Sequence, residues 1–202
     1  MGAPYDSLLQ FWFGDLQDGI ADTPTRSRWF TPDATFDQQC TEAFGHWLEQ
    51  ARQGSLESWL DTARGRLAFI LVCDQLPRNI HRGSSAAFAW DALALSTARD
   101  GIVTGQDRAL GFDERAFFYM PFEHSEALLD QHMAVGLFTD LRDSAPKEAR
   151  QLYGNTLRFA QQHRDIIKRF GRFPHRNAVL QRTSSEAEAA FVEAGDGFGQ
   201  LP

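Results

Sequence analysis

Lysine is nearly missing from this 202-residue chain: of 20 basic residues only Lys147 and Lys168 are lysine, and the rest are arginine. Cysteine is as scarce, with Cys40 and Cys73 in apolar surroundings and no CxxC spacing. That excludes a disulfide scaffold and a cysteine-based zinc site, and it fits reduced, buried thiols. Long apolar runs are also lacking. The longest, Leu67 to Cys73, falls far short of the roughly 20 residues that a membrane span needs. The first residues, MGAPYDSLLQFWFG, carry neither a charged stretch nor a cleavage pattern, and Asp6 stands where myristoylation needs Ser or Thr. A cytoplasmic protein with no membrane association is the expectation. Neither GxGxxG nor GxxxxGK occurs, so no nucleotide loop and no cofactor are indicated. HExxH is absent, as is a pair of histidines spaced on one helix, and no metal site is expected. GxSxG is absent too, which leaves Ser125, beside His124, without a nucleophile elbow and better suited to capping a helix.

What the chain does have is apolar and aromatic mass: 43% hydrophobic residues, with 17 Phe and 5 Trp. Each such aromatic ring brings roughly 150 to 250 Å² of surface to bury, enough for a sizeable core in one domain spanning residues 1–202. The net charge of −7 argues against nucleic acid as a partner. It is unevenly spread. From His163 to Arg182 there are six Lys or Arg (Arg164, Lys168, Arg169, Arg172, Arg176, Arg182) against Asp165, a local +5 that leaves −12 on the rest. A basic island on an acidic body suits a small anion.

Helical periodicity accounts for most of the chain. Tyr5–Phe13 carries Leu8, Leu9, Trp12 and Phe13 on one face and stops at Gly14. Gly19–Arg28 reads as a loop. Thr31-Pro32-Asp33 reads as an N-terminus, with a helix to Gln53 and Gly54 as its cap. A short helix over Ser55–Thr62 comes next, then an apolar one over Arg64–Leu76 that puts Asp74 on the buried side and closes at Pro77. Asp91–Val103, Asp113–Tyr119 (stopped before Pro121), Ser125–Leu141 and Pro146–Phe170 complete the long helices. Ser144 caps the last of these, Gly171 ends it, and His163 falls on its inward stripe. Asn177 could cap a short helix through Leu180, and Thr183 with Glu186, or Ser185 with Glu188, offers a capping box for a final helix to Ala194. No alternating strand pattern, internal repeat or low-complexity stretch appears, so the fold class is all-α.

Three stretches concentrate the chemistry: DQLPRNIHR (Asp74–Arg82), MPFEHSE (Met120–Glu126) and HRDIIKRFGRFPHRN (His163–Asn177). The first and third each place a Pro, an Arg and an Asn after a helix. Arginine there can simply complement the helix dipole, and asparagine can cap the next element. One cation satisfies one helix end, however, and Arg78, Arg82, Arg169, Arg172 and Arg176 together exceed that need. Guanidiniums that meet require carboxylates or a bound anion between them. Asp74 is the expected internal counter-charge. The candidate ligand-binding residues are Arg78, Asn79, Arg82, His163, Arg172, Arg176 and Asn177. The candidate acid and base residues are His124 and His175, with Glu126 as orienter.

These same strings, DQLPRNIHRG, MPFEHSEALLDQ and HRDIIKRFGRFPHRN, together with their spacing, resemble a bacterial family known as domain of unknown function 924 over nearly the whole chain. The resemblance implies an all-helical fold similar to tetratricopeptide-type α-α superhelices, although the literal tetratricopeptide signature is absent. It implies no activity. The family pattern continues Leu-Gly-Arg after the last string, whereas Leu180 here is followed by Gln181 and Arg182. Three readings fit the residues: a protein that binds a small anionic molecule in an Arg/His pocket, an enzyme using the same pocket for acid and base chemistry, and a scaffold that binds a protein partner elsewhere.

Overall fold

The computed structural model describes residues 2–195, and every named element among them is helical apart from one isolated antiparallel bridge, Gln17 to Ile20. Eleven α-helices run in order: α1 Asp6–Phe13, α2 Thr23–Phe30, α3 Ala34–Phe44, α4 His46–Arg52, α5 Ala63–Ile70, α6 Leu76–Ile80, α7 Asp91–Val103, α8 Phe112–Glu123, α9 Leu128–Ser144, α10 Arg150–Phe170 and α11 Glu186–Glu193. Short 3-10 turns at Glu57–Asp61, Ser85–Phe88, Gln106–Ala109, Lys147–Ala149 and Pro174–Arg176 join them. The main core is aromatic, built on Trp12, Phe13, Phe117, Phe118, Phe138 and Tyr153. A second, smaller cluster of Ile166, Ile167 and Phe173 lies at the far end of α10.

Several boundaries differ from the sequence reading, each for a local reason. Gly19–Arg28 is not all loop. Asp22 accepts the Thr25 N–H at 2.9 Å and Pro24 sits in the first turn, so α2 starts there although it buries no residue completely. The next helix is capped by Asp33, not Thr31, and it divides at Gly45 into α3 and α4. Ser125 does not cap α9. Its hydroxyl donates to Asp130 Oδ2 at 2.8 Å, and the helix begins three residues later, at Leu128. Residues 178–181 form turns rather than a helix capped by Asn177.

The two prolines mattered most. Pro121 lies inside α8, which continues to Glu123. At Pro77 the chain also stays helical, because Leu71–Gln75 opens into a π turn in which the Leu76 N–H bonds to the Leu71 carbonyl. A wide turn relieves the crowding that a proline ring imposes on the preceding turn. Arg78 and Asn79 therefore stand on a helix, not in a loop, with Arg78 one turn beyond Asp74.

α2 buries no residue completely, but its Trp29 packs edge-on against Phe13 and Phe117 and donates to the Trp12 carbonyl at 2.7 Å. It is pinned through Asp113, a buried α8 carboxylate that accepts the Ala21 N–H at 2.8 Å, the Tyr153 hydroxyl of α10 at 3.0 Å and the Arg26 guanidinium. Asp113→Ala is expected to lower unfolding free energy by about 3 to 5 kcal/mol in urea titrations, the usual cost of stripping one partner from a buried ionic network. Glu49→Ala, on an exposed pair with Arg52, serves as the near-silent control.

Candidate functional site

Asp74 is the innermost charge, with no solvent exposure. The π turn aims it between α6 and the end of α8. Its Oδ1 lies 2.7 Å from His124 Nδ1 and 3.3 Å from Arg78 Nη1, and its Oδ2 accepts from Gln75 Nε2 at 2.6 Å. Burial pushes the carboxyl up, but Arg78, His124 and the hydrogen bonds outweigh it and hold Asp74 well below the usual carboxylate range. Arg78 also donates to the Asp74 carbonyl at 2.6 Å and grips Asp91, at the start of α7, with both ends of its fork at 2.8 and 3.0 Å.

His124 closes α8. Gln131 of α9 fixes that end by donating to the carbonyls of Glu123 and Ser125, both at 2.6 Å. Burial, then the nearby Arg78, lower the His124 pKa, so the ring is neutral at pH 7. Beside it is a second histidine-carboxylate pair. His163 Nδ1 lies 3.0 Å from Glu123 Oε1 and 2.9 Å from the Phe159 carbonyl, and the two imidazole centroids are 6.4 Å apart. His163 falls on α10 between the end of the main core at Ala160 and the small cluster that starts at Ile166, so the polar site occupies the seam between the two.

The last motif closes over this seam. Gly171, at φ 72°, ends α10 in the left-handed conformation that glycine adopts freely, and the chain doubles back through Pro174–Arg176. Phe173 to Asn177 are all buried. Phe173 touches both the His163 and His175 rings, at 5.5 and 5.4 Å. Burial, reinforced by Arg176, pushes His175 down to about 3. The Arg176 guanidinium rests against Phe173 and Phe88 at 4.5 and 4.6 Å. Among the described residues its side chain makes one hydrogen bond, from Nη1 to Asp91 Oδ2 at a long 3.5 Å, and its buried Nε has no partner.

Thus Arg78, His124, His163, His175 and Arg176 are brought together. Other expected site residues are turned to separate tasks. Arg82 forms a two-point pair with Asp37 of α3 at 2.8 and 2.9 Å, and Arg172 forms one with Glu188 of α11 at 2.6 and 2.8 Å. Asn79 accepts from Arg82 at 3.1 Å, and Asn177 ties Arg182 and Ser184 at 2.9 and 3.0 Å. Among the described residues Glu126 makes no hydrogen bond to His124. It accepts the Phe173 N–H at 2.8 Å and both ends of the Arg182 fork at 2.7 and 3.0 Å, which makes it the clasp that holds the last motif down. Asp74 orients His124 instead. The local basic excess is also offset in space: Asp91, Glu126 and Glu188 come from other segments to meet it. Asp91, Glu123 and Phe88 were not singled out in the sequence. Glu123 was the findable one, since it stands in MPFEHSE directly before His124.

Surface depressions lie along Arg169, Phe170, Arg172 and Glu188, and along Leu9, Phe13, Arg64 and Glu114. Among the described residues no group of three or more His, Cys, Asp or Glu side chains is arranged to hold a metal ion, and no helix is long and apolar enough to cross a membrane.

The buried charges make stability depend on pH. His124 and His175 titrate lower in the folded chain than in the unfolded one, so the unfolded state binds more protons below about pH 6.5. Stability should be complete above that pH and fall as pH drops toward the folded values. Asp74 adds a loss of the same sign below about pH 4. His175→Gln should flatten the slope of unfolding free energy between pH 6 and 4 by up to about 1.4 kcal/mol per pH unit. Gln181 adopts φ 55°, a conformation that costs a side-chain-bearing residue roughly 1 to 2 kcal/mol. Gln181→Gly should therefore raise the thermal midpoint, whereas Gln181→Val should lower it.

No curated protein matches the chain. A solved structure described as a protein of unknown function, ATU0120, from Agrobacterium tumefaciens matches with 38% identity and a TM-score of 0.74, covering 84% of this chain and 90% of that one. The profile of the family described as bacterial protein of unknown function (DUF924) matches residues 8–196, a span holding every motif of the cluster, and the chain belongs to that family.

Proposed function

We propose that the Asp74–His124–Arg176 cluster binds a small anionic molecule, with Arg176 as its anchor. The observation that carries this reading is the state of that guanidinium. It is 6% exposed, lies against two phenyl rings, shares Asp91 with a better placed Arg78, and keeps a buried Nε without a partner among the described residues. A buried donor left unmade costs about 1 to 3 kcal/mol, which a carboxylate or phosphate oxygen would recover. Since Arg78, Arg82 and Arg172 have acids of their own, the reading narrows from a broad basic rim to this single edge.

A second reading, acid and base catalysis on the bound molecule, draws on a different observation, the 2.7 Å pairing of Asp74 with His124. The scaffold reading rests on Leu128, Leu129 and Met133, which expose apolar surface on α9.

The test of the first is a thermal-shift series with small carboxylates and phosphate at millimolar concentration. A ligand at a hundred times its Kd adds about 2.7 kcal/mol, which for a chain of this size is a rise of roughly 5 to 10 °C. Arg176→Gln should abolish the rise, and Arg176→Lys, which keeps charge but loses the planar fork, should reduce it. No rise with any anion, or an equal one in folded Arg176→Gln, would defeat the reading.

A further inference from the structure

An ionised carboxylate only accepts hydrogen bonds, so the 2.7 Å contact to Asp74 Oδ1 fixes the proton of neutral His124 on Nδ1. The lone pair is then on Nε2. Among the described residues no hydrogen bond from the protein engages that nitrogen, and the side chain keeps 16% of its surface open, against 10% for neighbouring His163. Arg78, 3.3 Å from Oδ1, and Gln75, donating to Oδ2 at 2.6 Å, hold Asp74 in this orientation. One ring nitrogen of His124 is thus locked and the other is presented.

We propose that His124 is a general base acting on the anionic molecule of the preceding reading, with Asp74 as its positioning residue. The proposal takes from that reading only the charge of the substrate. A proton leaves an acidic O–H or C–H of the substrate, or a water beside it, and bonds to Nε2, while the electron pair of the broken bond stays on the atom that carried the proton, as a substrate anion or as hydroxide. The imidazolium that forms donates from Nδ1 to Asp74, which stabilises it, and Arg78 and Arg176 are the cations of the same cluster that offset the negative charge developing on the substrate. Return of the proton to product or to water restores the ring.

The reaction can be probed before a substrate is known, by alkylating the full-length protein at pH 7 with iodoacetate and with neutral iodoacetamide and mapping the sites by peptide mass spectrometry. In either case Nε2 attacks the methylene carbon, the carbon-iodine bond breaks and iodide leaves. The thiols compete poorly, since both are buried and burial pushes Cys40 up to about 12 and raises Cys73 further. His124 should react at least about tenfold faster than exposed His132, at a rate that falls as acid protonates the ring. Asp74→Asn should slow it at least about tenfold by freeing the wrong tautomer. If that variant does not fold, the pH profile of the wild type carries the test, with an inflection below the ordinary histidine value expected. Iodoacetate should outpace iodoacetamide, and Arg176→Gln should erase the preference. Reaction of His124 no faster than that of His132 overturns the proposal. Fast reaction with no preference for iodoacetate upholds the base and instead defeats the anion reading.

Discussion

Everything at the centre of this protein answers to one fully buried carboxylate. Taking an ionised Asp out of water costs several kcal/mol unless charge and hydrogen bonds replace the lost solvent. Asp74 finds Arg78 one turn along its own helix, but only because the chain widens into a π turn that accommodates Pro77. Arg78 is itself buried and has donors to spare, so it recruits Asp91 from α7. Asp91 in turn reaches Arg176 on the last motif. Three segments far apart in sequence are thus joined by alternating charge, each burial creating the need that the next residue meets.

Much of this was legible beforehand. The inward stripe of α10 placed His163, the apolar pattern before Pro77 placed Asp74, and the density of arginine marked the segments that meet. What stayed hidden depends on tertiary partners. Proline is a helix breaker by local sterics, yet at Pro77 and Pro121 the surrounding packing keeps the chain helical, and no single-sequence pattern reports that a π turn will absorb the cost. Glu126 looked like a partner for histidine because it is two residues from His124. A backbone N–H at Phe173 and the fork of Arg182, contributed from beyond α10, claimed it instead. The same holds for Arg82 and Arg172, whose carboxylates sit on α3 and α11. Local charge counts see the cations but not which acids the fold delivers to them.

The apolar architecture explains why the cluster is closed. The main core ends along α10 at Ala160 and the small one begins at Ile166, and the aromatic ring of Phe173 bridges from that small cluster to His163 and His175. Polar groups in such a seam experience a low effective dielectric, which strengthens every pairing made and penalises any left open. Glu126 is less buried than the groups it covers, and its hydrogen bonds bring the covering loop down at the polar edge of the seam, leaving the apolar ring to seal the interior.

His124 differs from the other two histidines through the balance of its neighbours. Desolvation and Arg78 both disfavour a proton on Nε2, while Asp74 favours one, and the net is a ring that is neutral at rest yet has a counter-charge in place for the moment it is protonated. The same guanidiniums that keep it neutral would gain most from a negative charge appearing beside them. Neutralising that cationic field, by binding an anion or by creating one through proton removal, would raise the basicity of His124. Ligand charge and proton affinity are therefore coupled through Arg78: an anion entering the seam would make the adjacent base stronger at the place where it would act.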